Sequence, residues 1–253
     1  MRVSYNISFC LLLFLFFLYF IPDTCHSKKN YLGFDQIYIL SSSDPKRSRA
    51  YTSILRLMNV DYTVFKPSSR FKADNPAYVD SEDSIVKMNH FAAYLDASKY
   101  GNALFMEDDF DFDFSAATII PHAISQLPYD WDYLGLFWNL GKNKKSDAFS
   151  NYSPNLIRLR KSVWIGGVAY ALSASGIQKV LECGMGNGIA GDTTIANMIN
   201  NSTLKAFIVT PLVLDHLGST LEFPSIRIND TTNPYKPRIH NSIFMNLRNT
   251  GAL

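Results

Sequence analysis

The chain has 253 residues, of which 47% are apolar, 14% aromatic and 18% charged. That balance excludes a disordered, collagenous or low-complexity chain. With 24 basic residues against 22 acidic ones the formal net charge is +2, so there is no general electrostatic pull toward nucleic acid, and none is expected as a partner.

Arg2 precedes an apolar stretch, Ile7 to Ile21, which Pro22-Asp23 breaks. Its 15 residues are short for a membrane span, which needs about 20. They suit the core of a signal peptide, with Cys25-His26-Ser27 as the cleavage region. Counted from Val3, the run lengthens into a signal-anchor. Residues 1–27 are therefore read as either a cleaved signal or a membrane anchor, and both send the rest of the chain into the secretory pathway. Sequons at Asn151, Asn200, Asn201 and Asn229 agree with that compartment. The three cysteines are too few for a disulfide scaffold and lack zinc-ligand spacing. A retained Cys25 is a partner for Cys183; otherwise Cys183 is expected as a buried small hydrophobe. Residues 28–253 have the length of one domain, without a repeat or a Pro/Gly/Ser linker.

Asp35 to Leu40 reads as a buried strand. Ser43-Asp44-Pro45 then offers a cap with Pro in the first turn of a helix over 46–58. A short strand at 62–65 follows, then a helix over 85–99 with Ser84 as its cap. Ala103 to Met106 is a third strand, and it runs straight into acid. A helix over 115–126, interrupted by Pro121, precedes strands at 131–137 and 168–172. Helices over 174–182 and 193–200 and a strand at 206–209 complete the pattern. Such alternation predicts an α/β domain with a mostly parallel sheet, where ligands bind at the carboxyl ends of strands.

Glu107-Asp108-Asp109-Phe110-Asp111-Phe112-Asp113 places five carboxylates in seven residues at one of those ends. Packed anions need a cation or full solvation. An EF-hand fails: counting from Asp109, Phe114 stands where Gly is needed and Ile120 where the bidentate Glu belongs. A solvated acidic turn is one remaining reading. The other is a hard divalent cation held by one or two carboxylates and by substrate phosphates.

Several segments resemble glycosyltransferase family 25, the lipopolysaccharide and procollagen galactosyltransferases, in its fungal-type members. Leu32 to Ile39 resembles the family's opening "LGF-x-x-I-x-V" strand, and Asp44 to Arg49 the basic element after it. Leu104 to Asp113 resembles the "EDD-x-D-W-D" metal motif, with Phe112 for Trp. Trp131 to Gly135 resembles "WD-x-L", and Gly166 to Ser173 "GG-x-AY-x-x-S". The family's usual Asn-Leu is replaced by Ile39-Leu40. Together the segments span about residues 31 to 220.

The resemblance implies a GT-A-type single domain, with a Rossmann-like, mostly parallel sheet flanked by helices. It implies a UDP-sugar donor, with galactose as the sugar, a glycan or protein hydroxyl acceptor, and Mn²⁺. Glu107 and Asp109 match the outer acids of the D-x-D pattern and are the metal candidates, Asp109 as the direct ligand. Asp108 matches the middle position, touching ribose or metal. His216 is the candidate further ligand, with a polar loop histidine as the alternative because the family more often shows Gln there. Inverting transfer needs a base, and Asp192 matches that position; an N-cap or an acceptor contact is the other reading. Gly166 and Gly167 let backbone approach the sugar, or form a bend. His90, placed by the family pattern at the opening of a helix beside the donor site, is alternatively a capping or core histidine. Arg47, with Arg49, reaches toward the diphosphate, or lies on a solvated helix face.

A degenerate family member that binds nucleotide sugar or glycan without turnover is the competing function. A metal-dependent hydrolase is disfavoured by the lack of a His-rich constellation. Gly186 to Gly191 matches G-x-G-x-x-G but follows a helix, so it is read as an acceptor-side loop.

Overall fold

A computed structural model describes residues 32–66, 82–138, 148–161, 167–183, 191–218 and 237–253, without the side chains of 82–88, 191 and 192. The N-terminal segment 1–27, Gly166, the glycine-rich stretch 186–190 and Asn229 lie outside the described residues. Among the described residues no helix is long and apolar enough to cross a membrane.

Strand β1 (Gln36–Leu40) feeds helix α1 (Pro45–Leu57) through the turn expected from its sequence. The Asp44 side chain accepts from the backbone N–H groups of Lys46 and Arg47, at 2.7 and 3.0 Å. Pro45 opens the helix, where its missing N–H costs nothing. Strand β2 (Thr63–Phe65) returns parallel to β1, and β3 (Ala103–Glu107) lies parallel on its other side, after helix α2 (Glu82–Ala97). Strand β4 (Phe110–Phe112), helix α3 (Ala116–Ser125), and strands β5 (Tyr133–Gly135), β6 (Phe149–Ser153), β7 (Leu156–Leu159) and β8 (Ala169–Leu172) follow. Helices α4 (Ala174–Cys183) and α5 (Gly191–Asn200), strands β9 (Ala206–Val209) and β10 (Leu214–His216), and helix α6 (Ile243–Asn249) complete the set.

The main sheet has eight strands in the order β2-β1-β3-β8-β5-β9-β7-β6. Only β8 and β7 run against the rest, since each pairs antiparallel with its neighbours. The result is the single α/β domain with a mostly parallel sheet that the strand–helix alternation predicts. Strand side chains alternate between two apolar layers. Ile37, Ile39, Leu104 and Met106 pack in the layer that α1, α3 and α6 cover. Tyr38, Leu40, Ala103 and Phe105 pack in the opposite layer, under α2, α4 and α5.

The "WD-x-L" and "AY-x-x-S" segments meet where β5 pairs with β8 and the Ser173 N–H donates to the Asp132 carbonyl. Gly176 in α4 lets the helix lie directly on the backbone of Asp132, since a Cβ there would sit 2.2 Å from the Asp132 carbonyl oxygen. The Asp132 carboxylate is buried and accepts from Ser175 Oγ, Lys179 Nζ and the Lys205 N–H. This aspartate holds α4 and β9 to the start of β5.

Several expectations need correction. Helix α3 runs through Pro121 without interruption. Cys183 is an exposed thiol at the end of α4, not a buried hydrophobe. The acidic segment is no simple loop, because its second half is strand β4, paired antiparallel with β10. Strands β6, β7 and β10 and helix α6 extend the predicted pattern.

Candidate functional site

The five acids divide among three tasks. Strands β1 and β3 end together, Leu40 facing Glu107 across the ladder. Asp108, just beyond, turns back onto the β1–α1 loop. Its Oδ2 accepts from Ser41 Oγ and from both the N–H and Oγ of Ser42, and its Oδ1 from Arg47 Nη1 at 3.0 Å. Burial raises the Asp108 carboxyl above its ordinary range, and the Ser42 hydrogen bonds oppose that. Through these bonds Asp108 fastens the end of β3 to the β1–α1 loop.

Asp111 and Asp113 secure the C-terminal segment. Period-two alternation in β4 sends Phe110 and Phe112 into the core, where their rings meet edge to face. Asp111, fully buried, accepts from the Phe244 N–H at 2.9 Å and from Ser242 Oγ, at the start of α6. Asp113 accepts from the Asn241 N–H and from Ser115. Arg238 donates to Asp215 of β10 and stacks over Phe137, its Cζ 5.0 Å from the ring centroid.

Asp109 and Glu107 face ionisable side chains instead. The β4–β10 ladder aligns His216 with Phe110, and the Leu217 N–H reaches the Asp109 carbonyl. Those contacts bring His216 Nε2 to 3.0 Å from Asp109 Oδ2. Phe137 packs edge-on against the His216 ring, 6.0 Å between centroids. On the other side, Arg47 Nη1 lies 3.0 Å from the same Asp109 oxygen. Asp109 is 5% exposed, and its second oxygen, Oδ1, is buried without a hydrogen-bond partner among the described residues. Burial alone would raise the Asp109 carboxyl, yet His216 and Arg47 hold it below the usual carboxylate range. For His216, burial disfavours the charge, but Asp109 raises its affinity for the proton above the ordinary imidazole value. Burial likewise opposes the Arg47 charge, which Asp109 and Asp108 strengthen.

Two glycines leave room around these groups. A Cβ on Gly218 would meet His216 Nε2 at 2.4 Å and Asp109 Oδ2 at 2.7 Å. A Cβ on Gly167 would meet Glu107 Oε1 at 2.7 Å. Gly167 thus makes space for a carboxylate, a physical reason for glycine there beside the expected approach to sugar.

Three expectations change at this level. Arg47 is buried and ion-paired rather than solvated. Its position was legible: it leads the buried stripe Arg47, Ala50, Tyr51, Ile54, Leu55 at helical spacing. His90 lies inside α2 rather than at its opening, and it is buried. Its Nδ1 is 2.7 Å from Tyr170 Oη, and its Nε2 is 3.6 Å from Glu107 Oε1. Asp192 is the second residue of α5, which begins at Gly191, so it occupies the first turn and not the cap; its side chain lies outside the described residues. Sequence reasoning missed Ser41 and Ser42, the partners of Asp108, which carry no signal beyond being polar residues at a strand end.

The donor set suits a divalent cation in part. A carboxylate oxygen without a partner among the described residues, an adjacent imidazole and a cleared space match a hard or borderline cation such as Mn²⁺. Among the described residues no group of three or more His, Cys, Asp or Glu side chains is placed to hold a metal. Remaining positions would fall to water and phosphate oxygens, as is usual where such cations bind with phosphorylated substrates.

No protein-family model matches the chain, and no curated protein does. Two of the solved structures similar to it, both at low identity, show the range of the likeness. One is A197 from STIV, at 8% identity and a TM-score of 0.43, over 72% of this chain and 84% of that one. The other is a glycosyltransferase involved in the glycosylation of the major capsid of PBCV-1, at 11% identity and a TM-score of 0.35, over 66% of this chain and 68% of that one. Neither likeness assigns a family, so the family 25 resemblance rests on the sequence segments themselves.

Proposed function

We propose that the chain is a metal-dependent inverting glycosyltransferase of the secretory pathway. In this reading it moves a sugar, galactose by the family resemblance, from a UDP-sugar to a hydroxyl of a glycan or protein. The observation that carries the proposal is the buried Asp109, with Oδ2 against His216 and Oδ1 without a partner among the described residues, at the carboxyl ends of β1 and β3. Open α/β sheets bind their ligands at such ends.

Asp109 and His216 would hold the cation, with Glu107 alongside. When bound, the cation offsets the diphosphate charge and stabilises it as a leaving group. Asp108 keeps the β1–α1 loop, and Arg47 with it, against the site. In the displacement the acceptor oxygen forms a bond to the sugar's anomeric carbon. The bond to the diphosphate breaks, and its electron pair leaves with UDP. Asp192, by family position, takes the acceptor proton. The N-terminal segment would serve as a signal or an anchor.

A second reading, nucleotide-sugar binding without turnover, is favoured by one observation: Asp109 is already paired with the Arg47 guanidinium and in contact with the His216 imidazole. Release of UDP from a panel of UDP-sugars, with and without Mn²⁺, separates the two. A transferase releases UDP in a metal-dependent way, fastest from its own donor. Binding of UDP-sugar with no release under any condition identifies the non-catalytic form.

A further inference from the structure

The acidic end of β3 already contains a cation. Arg47 Nη1 sits 3.0 Å from Asp108 Oδ1 and 3.0 Å from Asp109 Oδ2. Arg47 is 8% exposed and Asp109 5%, so solvent screens this charge poorly. A guanidinium does not lose its proton in proteins, and therefore cannot be silenced to admit a second cation. Any divalent ion on Asp109 meets a fixed like charge.

We infer that Arg47 and the divalent cation compete for Asp109, so that the cation binds weakly alone and loads together with the nucleotide diphosphate. This rests on the metal-site reading above and adds an order to it. The diphosphate is the group that relieves the competition. The planar fork of arginine pairs with phosphate oxygens bidentately, and a phosphate offers Arg47 an anion in place of Asp109. Asp108 makes that exchange cheap. It holds Arg47 through Oδ1 while the Ser41 and Ser42 bonds fix Oδ2, so a guanidinium released from Asp109 stays tethered at the site. The coupling is reciprocal: metal raises affinity for the diphosphate by the factor by which the diphosphate raises affinity for metal.

The test titrates MnCl₂ into the full chain and reads free Mn²⁺ by electron paramagnetic resonance, without nucleotide and with saturating UDP. It compares wild type, R47K, which keeps the charge, and two neutral replacements, R47Q and R47M. Melting curves select the folded variants. The expected result is Mn²⁺ binding about tenfold tighter or more in a folded neutral variant without UDP, as removal of a like charge at contact distance requires. The gain on adding UDP should shrink by the same factor, while R47K stays near wild type. A merely structural arginine would leave the ratio of affinities with and without UDP unchanged. An unchanged ratio, or neutral variants that bind Mn²⁺ no tighter than wild type, overturns the competition and leaves the metal site standing. Absence of Mn²⁺ uptake by wild type even with UDP overturns the metal-site reading and this inference together.

Discussion

Asp109 carries the most at the level of single residues, because one buried carboxylate faces a guanidinium and an imidazole and retains an oxygen with no described partner. Asp109→Asn should abolish transfer, a loss of roughly 3 kcal/mol or more in transition-state stabilisation. It should also destabilise the fold, since Arg47 loses the charge that compensates it. Breaking a buried pair from one side costs about 3 kcal/mol, so urea unfolding should show a lowered midpoint. A surface loop aspartate would show no such drop. The pair also fixes a pH dependence. Asp109 lies below its ordinary range, so its contribution to stability is present above about pH 4 and fades as pH falls through the lowered value. His216 lies above its ordinary range, so its contribution is complete below about pH 6.5 and is lost as pH rises through the raised value. The stability gap between wild type and His216→Gln should therefore narrow on alkalinisation, measured by denaturant melts in chelator. A gap that widens toward high pH contradicts the pairing. Asp192→Asn separates base from helix residue. A charge in the first turn of α5 contributes about 0.3–1 kcal/mol to stability, whereas loss of a base reduces turnover on the order of 10²-fold or more. Wild-type turnover in that variant would leave the base unassigned to Asp192.

Elements explain why part of this was legible and part was not. Strands β1, β3, β8 and β9 are apolar runs with clear boundaries, and Asp44-Pro45 announces α1, so sequence pattern locates them well. Strands β4 and β10 have three residues each, too few for a period to register, and the middle residue of β4 is an acid. The pairing of His216 with Asp109 depends on that ribbon and joins residues 107 positions apart. The Asp108–Ser42 clamp spans 66 positions. Neither separation leaves a local trace. The helix start at Gly191 rather than Thr193 reassigns Asp192 from cap to first turn, a shift within the usual uncertainty of helix ends. Packing between elements makes its own prediction at Gly176. Its Cβ position collides with backbone at Asp132, which cannot swing aside as a side-chain tip can. Gly176→Ala should cost about 1–3 kcal/mol, seen as a lowered melting temperature. An unchanged melting temperature would show that α4 can withdraw from Asp132 freely.

On the scale of the whole molecule, two apolar layers grip one mostly parallel sheet, and the sheet brings Asp108, Asp109 and Glu107 to the end where β1 and β3 stop together. The acidic segment serves this architecture as much as it serves chemistry. Asp111 and Asp113 bind the C-terminal helix region, Asp108 binds the first loop, and those fastenings set Asp109 between Arg47 and His216. A composition rich in acid at one point is therefore held largely by hydrogen bonds inside the fold rather than spread into solvent. We propose that this point takes a cation and a nucleotide diphosphate together. Calorimetric titration of UDP into the folded domain, with Mn²⁺ and again with excess chelator, tests it most directly. Measurable UDP affinity with Mn²⁺ and a sharp fall on chelation are expected; equal UDP binding in both conditions would contradict joint binding.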